Sequence, residues 1–207
     1  MFLFFLLFVS GQSLVGWANY NQDLEEHNEP QLSYVAYLHS GNFVEAIFEN
    51  WESEFLQMGS YVFLTAFLYQ KGSAESKKLR GKEPVDRNPR QPKSPDAPWP
   101  VRRGGWVLKL YENSLGLAFI LLFIMSFLLH AAGGTAETNK DNIAHGEPTI
   151  TMVQYLGSSK FWFESLQNWQ SEFLAVFAIV VLSIYLRQKG SPESKPVNAP
   201  NHLTGSE

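Results

Sequence analysis

The chain is one unit written twice. Laying Asn50-Trp51-Glu52-Ser53-Glu54-Phe55-Leu56 over Asn168-Trp169-Gln170-Ser171-Glu172-Phe173-Leu174 sets an offset of 118. That offset holds without a gap from residues 1–77 onto 119–195. It gives 30 identities in 77 positions, 18 of them within 40–77. A repeat of this length predicts a duplicated structural unit, so the fold must be one that two copies of the same segment can build. What both copies keep reads as what the unit needs.

The unit is apolar in a particular way. Mean hydropathy over the 207 residues is -0.14, but that average mixes polar loops with long apolar runs. Residues 113–136 form 24 positions without Asp, Glu, Lys or Arg. A helix needs roughly 20 apolar residues to cross a bilayer. The repeat partner of this run is 1–18. Two shorter uncharged runs, 55–70 and 173–186, have the length of a buried core helix when taken alone. Counted from Trp51 to Lys71 and from Trp169 to Lys189, each covers 21 residues, about 31 Å of helix at 1.5 Å per residue. Trp at one end and Lys at the other are interfacial anchors.

Charge placement gives a second argument for spans. Residues 1–68 hold no Lys or Arg, 69–112 hold 11 of the 16, 113–172 hold two and 173–207 hold three. Cytoplasmic loops carry the excess of Lys and Arg. Four spans with both termini and the middle segment in the cytoplasm account for the pattern. Two spans then separate the copies, so the copies run parallel and are related by an axis along the membrane normal. The fold class expected is all-α, with four transmembrane helices as two tandem helical hairpins.

The formal net charge of -4 is a sum of local imbalances. The first segment expected outside is acidic (Asp23, Glu25, Glu26, Glu29, Glu45, Glu49), and the middle segment is basic. A basic juxtamembrane stretch selects anionic lipid headgroups as partners. No folded or aromatic element accompanies it to indicate nucleic acid. The absence of cysteine excludes disulfides and thiol chemistry.

Four divisions follow. Residues 1–78 are the first two-span unit, and 105–195 are the second. Between them, 79–104 carries six of the 11 prolines and seven Lys/Arg, the composition of an extended, disordered tether. The tail, 196–207, is expected to be disordered as well. Each second span is preceded by a short amphipathic outer helix. In the second copy Phe161, Trp162, Ser165, Leu166 and Trp169 share a face, and Ser158 and Lys160 lie where they can cap its start. Each second span ends in Gln-Lys-Gly-Ser, where Gly72 and Gly190 supply the left-handed backbone that stops a helix. The stretch 105–114 has no counterpart before Met1. The first copy is therefore expected to begin about a dozen residues upstream, since no signal-peptide pattern replaces it.

Two polar patterns are candidates for function. The first is His27, Glu29 and Pro30 against His145, Glu147 and Pro148, with Asp23 and Asp141 four residues before each His. Imidazole and carboxylate together can bind a divalent cation. A turn explains the same residues, because Asp starts it and Pro fixes it, and no metal is assigned. The second is Asn50 and Glu54 against Asn168 and Glu172, on one face at the outer end of each second span. As function this is a cation or proton entry site. As structure it is capping and inter-helix bonding, with Ser53 and Ser171 allowing close approach. The middle of every span is apolar, and His130, opposite Gln12 in the repeat, is the one titratable group near a span. A proton relay through titratable groups in series is therefore not expected. Trp51, Trp162 and Trp169 read as an interfacial belt. No phosphate-binding loop, nucleophile elbow or zincin motif is present, so neither an enzyme nor a cofactor is expected.

The stretch from Asn50-Trp51-Glu52-Ser53-Glu54-Phe55-Leu56 to Gln70-Lys71-Gly72-Ser73-Ala74-Glu75-Ser76-Lys77, and its copy ending at Lys195, resembles a family of small bacterial integral membrane proteins described as a domain of unknown function. The resemblance covers most of the chain outside the tether and tail. It implies a bacterial inner-membrane location and carries no catalytic or binding residues. The expected role is a non-enzymatic membrane scaffold or envelope component. The alternative is a homo-oligomeric transporter or channel subunit for a cation or proton.

Overall fold

The computed structural model describes residues 2–78, 81, 84–89 and 96–204. Their regular structure is helical, with no strand among them. In chain order the helices are α1 (Phe2–Glu26), α2 (Tyr34–Tyr37), α3 (Gly41–Phe67), α4 (Trp99–Arg103), α5 (Gly105–Glu112), α6 (Ser114–Ala144), α7 (Met152–Leu156) and α8 (Ser159–Tyr185). Three of the described helices, α1, α6 and α8, are long and apolar enough to cross a membrane. Helix α3 matches α8 in length at 27 residues. Its first half carries Glu45, Glu49, Glu52 and Glu54, which lowers its hydropathy.

The chain divides into two compact units. One comprises Met1–Glu52 with Ile124–Asn168, the other Ser53–Phe123 with Trp169–Glu207. The first holds two small aromatic cores. Tyr20, Leu24 and Tyr37 form one, with Trp17, Leu32, Leu38 and Phe43 packed around them. Ala131, Tyr155 and Phe161 form the other, with Phe127, Ile150, Met152 and Leu156. Burying such aromatics contributes roughly 1.5–3 kcal/mol per side chain.

Local geometry in this unit occurs in pairs at the 118 offset. The Asn21 amide donates to the Leu32 carbonyl and accepts the Leu32 N–H; Asn139 does the same with Ile150. These side chains tie the returning loop to its helix and satisfy backbone groups that a loop would otherwise leave unpaired. Ser33 caps α2 and Thr151 caps α7, the latter in a reciprocal capping box with Gln154. Ser40 and Ser158 accept the N–H groups of Phe43 and Phe161 at the starts of α3 and α8.

The stretch expected to form a separate outer helix is instead the start of α3 and of α8, each one unbroken element. No Gly or Pro falls within 42–58 or 159–185 to break either. The short separate helices lie earlier, at α2 and α7.

In the second unit α3 ends at Phe67 and α8 at Tyr185, four residues before Lys71 and Lys189. The Gln-Lys-Gly-Ser sequence that follows is a turn. Gly72 and Gly190 take φ of 86° and 84°, in the left-handed region. Ser76 and Ser194 accept the N–H of Gln70 and Gln188. The Lys195 ammonium, almost fully buried, donates to the carbonyls of Gly72 (2.5 Å), Asn201 and Leu203 (3.0 Å each). This ties down the tail as far as Thr204, whose hydroxyl accepts the Gly72 N–H. A tail expected to be disordered therefore has packed residues up to 204. Its last positions, 205–207, lie outside the described residues, as do 79–80, 82–83 and 90–95 of the expected tether. The described part of the tether includes a 3-10 turn at Pro84–Asp86 and helix α4, which opens on Pro98 and Pro100.

Candidate functional site

Beyond Leu129 the apolar run of α6 stops, and the next residue is His130. In the first unit this imidazole is fully buried. Its Nδ1 lies 3.1 Å from Glu52 Oε2 of α3, and its Nε2 lies 3.4 Å from Glu164 Oε2 of α8. Glu52 is also fully buried and accepts the Ser165 hydroxyl at 2.6 Å. Tyr155 of α7 places its hydroxyl 2.8 Å from Glu45 Oε1 and 2.9 Å from Glu164 Oε2. The half-exposed Lys160 ammonium sits 3.1 Å from Glu45 and 3.7 Å from Glu164. Phe161 closes one wall, with its ring 4.8 Å from that of His130. Asn168 donates to Glu49 at the edge.

Each side chain has a local reason for its position. Helical spacing brings Glu45, Glu49 and Glu52 of α3 onto one side, at intervals of four and three. The same spacing sets Lys160 and Glu164 one turn apart on α8, with Phe161 and Ser165 on the adjoining line. Gly134 admits Tyr155: a Cβ there would stand 2.2 Å from the Tyr155 hydroxyl oxygen. Burial first, and then the two carboxylates, raise the Tyr155 hydroxyl far above the ordinary tyrosine range, so it stays protonated.

The cluster carries more acceptors than protons. A neutral imidazole has one N–H, yet carboxylates face both nitrogens of His130. A tyrosine hydroxyl has one proton, yet two carboxylate oxygens lie within 2.9 Å of it. Uncompensated buried charge costs several kcal/mol, so the arrangement attracts positive charge. Glu45, His130 and Glu164 each offer a ligand atom within 4.8 Å of the other two, a trio met nowhere else among the described residues.

The residues chosen from the sequence lie apart from this cluster, except Asn168. His27 and His145 are exposed, and each Nδ1–H donates to the carbonyl four residues back, Asp23 or Asp141, at 2.8 Å. The His27 imidazole is raised above the ordinary histidine range by that carbonyl and then by the Asp23 charge. Glu29 pairs with Lys140 at 3.2 Å. Glu147 is exposed, and its N–H donates to the Asn142 carbonyl. Asn50 is exposed and donates to the Ala46 carbonyl of its own helix. In the second unit Glu54 is exposed and Glu172 is half-buried, the latter giving its backbone carbonyl to Gln57. Sequence reasoning reached His130 but left Glu45, Glu52, Glu164 and Lys160 out of the site.

A helical chain with apolar spans and an ionic cluster where those spans end is an integral membrane protein by class. It belongs to the family described as a domain of unknown function, DUF6766, matched over residues 1–206. No curated protein and no solved structure matches it.

Proposed function

We propose that this chain is a four-span, non-enzymatic membrane protein that handles a small cation, as a subunit of a homo-oligomeric transporter or channel. The observation that carries this reading is His130, fully buried between two carboxylates where the apolar run of α6 ends. Ionisable groups at membrane helices are costly and mark ion pathways. The cluster's surplus of negative charge favours a cation. Four helices are few for a complete path, so more than one copy is required. Helix α3 is the fourth span, running from the acidic end through the uncharged stretch 55–67. The two copies form parallel hairpins in a bacterial inner membrane, both termini lie in the cytoplasm, and the basic residues of the tether meet anionic lipid.

A second reading is favoured by the depth of the cluster. It lies where the apolar runs end, and the middle of each apolar run has no charge. On that reading the ionic network joins helices in a scaffold. Purified protein in liposomes, loaded with a pH-sensitive or metal-sensitive dye, separates the two. Cation flux above that of empty liposomes, lost in Glu52→Gln, is the expected result. Flux equal to empty liposomes would leave only the scaffold.

A further inference from the structure

The charge imbalance of the cluster has a definite geometry. If a neutral His130 donates its Nδ1–H to Glu52, then Nε2 directs a lone pair at Glu164 Oε2, 3.4 Å away. If the Tyr155 O–H donates to Glu45, its oxygen faces Glu164 with lone pairs on both sides at 2.9 Å. Both conflicts meet at the same carboxylate. A second proton on His130 relieves only the first of them, whereas one cation bound to His130 Nε2, Glu45 and Glu164 relieves both.

We propose that Glu45, His130 and Glu164 bind a divalent first-row transition cation, with Glu52 as the positioning residue for His130. The inference rests on the cation-handling reading above and names the cation. Three arguments support it.

The donor set is one imidazole and two carboxylates, borderline and hard ligands that suit Zn or Mn more than Mg or Cu(I). The carboxylate–imidazole–metal arrangement is complete, because Glu52 fixes the tautomer that leaves Nε2 as the ligand. Glu52 is in turn held by the Ser165 hydroxyl at 2.6 Å.

The third argument is Lys160. Its ammonium already lies 3.1 Å from Glu45, and its side chain is 47% exposed. It is a cation of the protein's own at the mouth of the site. It can swing to water when a metal enters, so lysine and metal compete for the same carboxylates.

The test is isothermal titration of the intact, metal-stripped protein in detergent with ZnCl2, MnCl2 and MgCl2 separately. One Zn2+ per chain is expected, with Mn2+ weaker, following the usual affinity order, and no saturable Mg2+ binding. His130→Asn and Glu164→Gln should each weaken Zn2+ binding by about 100-fold. Glu52→Gln should weaken it by about 10- to 100-fold and leave the stoichiometry at one. Lys160→Ala should tighten it. His27→Gln and His145→Gln, both exposed, should change nothing. Glu164 is partly exposed, so its variant decides the matter if His130→Asn does not fold. In addition, Zn2+ should raise the melting temperature of the unaltered protein, because a ligand of the native state stabilises it.

Three results would each overturn the inference. They are no saturable Zn2+ or Mn2+ binding, binding indifferent to Glu164→Gln, or binding lost with the exposed histidines. Metal binding without flux in liposomes removes the transport reading and keeps this one. Flux without metal binding does the reverse.

Discussion

Glu52 and Glu54 stand two residues apart on α3 and have different surroundings. Glu52 is fully buried against Ser165 and His130, while Glu54 is exposed. Removing one partner of a buried ionic network leaves the rest uncompensated, at about 3–5 kcal/mol. A change at an exposed position stays within about 0.5 kcal/mol. Glu52→Ala should therefore lower the melting temperature of the purified protein sharply, and Glu54→Ala should leave it nearly unchanged. Matching melting curves for the two would remove Glu52 as an anchor. Comparing the two copies for what they share selects Glu54 and Glu172 and passes over Glu52. The reason is physical: the cluster is built where the copies differ. Glu45 stands against Phe163, Glu52 against Gln170, His130 against Gln12, Lys160 against Asn42, Glu164 against Ala46 and Ser165 against Ile47. Tyr155, Phe161 and Asn168, with their counterparts Tyr37, Phe43 and Asn50, are the exceptions. A site formed once per chain from two copies lies in their departures from each other. The readable signal was a set of charged departures near the ends of the apolar runs. Which of them is buried depends on how the helices pack, and spacing alone does not fix that.

At the scale of elements, α3 and α6 meet backbone to backbone. A Cβ on Gly133 would stand 2.4 Å from the Glu45 nitrogen, and one on Gly41 would stand 2.7 Å from the Gly133 carbonyl oxygen. Nothing flexible lies in the way to yield. Gly133→Ala should therefore separate the helices and cost about 1–3 kcal/mol. Gly116, on the same helix, has open space where a Cβ would go, so Gly116→Ala should gain about 0.5–1 kcal/mol of helix stability. Thermal melts of the two variants should move in opposite directions, and a Gly133→Ala protein as stable as the parent would refute the close crossing. Much at this scale was legible in advance. The long helices followed from the apolar runs, and the cap at Ser158 from residue type. Helix ends were less legible. Gln-Lys-Gly-Ser marks a turn held by Ser76 and Ser194 from further along the chain, and such side-chain partners leave no period in the sequence.

For the whole molecule the open number is the count of spans, and it turns on α3. Helices α1, α6 and α8 meet the requirement of length and apolarity outright. Helix α3 has the length, and its carboxylates all lie before Phe55. If α3 does not cross, the cation-free residues 1–68 and the cation-rich residues 69–112 share one side of the membrane, and the charge asymmetry has no cause. If it crosses, 11 of the 16 Lys and Arg fall in one cytoplasmic segment and three more lie beyond 172. The acidic end of α3 then faces the opposite side. That side also receives Glu45, Glu52, His130 and Glu164, so the cluster opens away from the cytoplasm. Reporter fusions at residues 25, 85, 145 and 200 test this directly. Fusions at 85 and 200 should report the cytoplasm, and those at 25 and 145 the other side. If 25 and 85 report the same side, α3 does not span, the four-helix path is lost, and the cluster becomes a feature of a membrane-anchored domain.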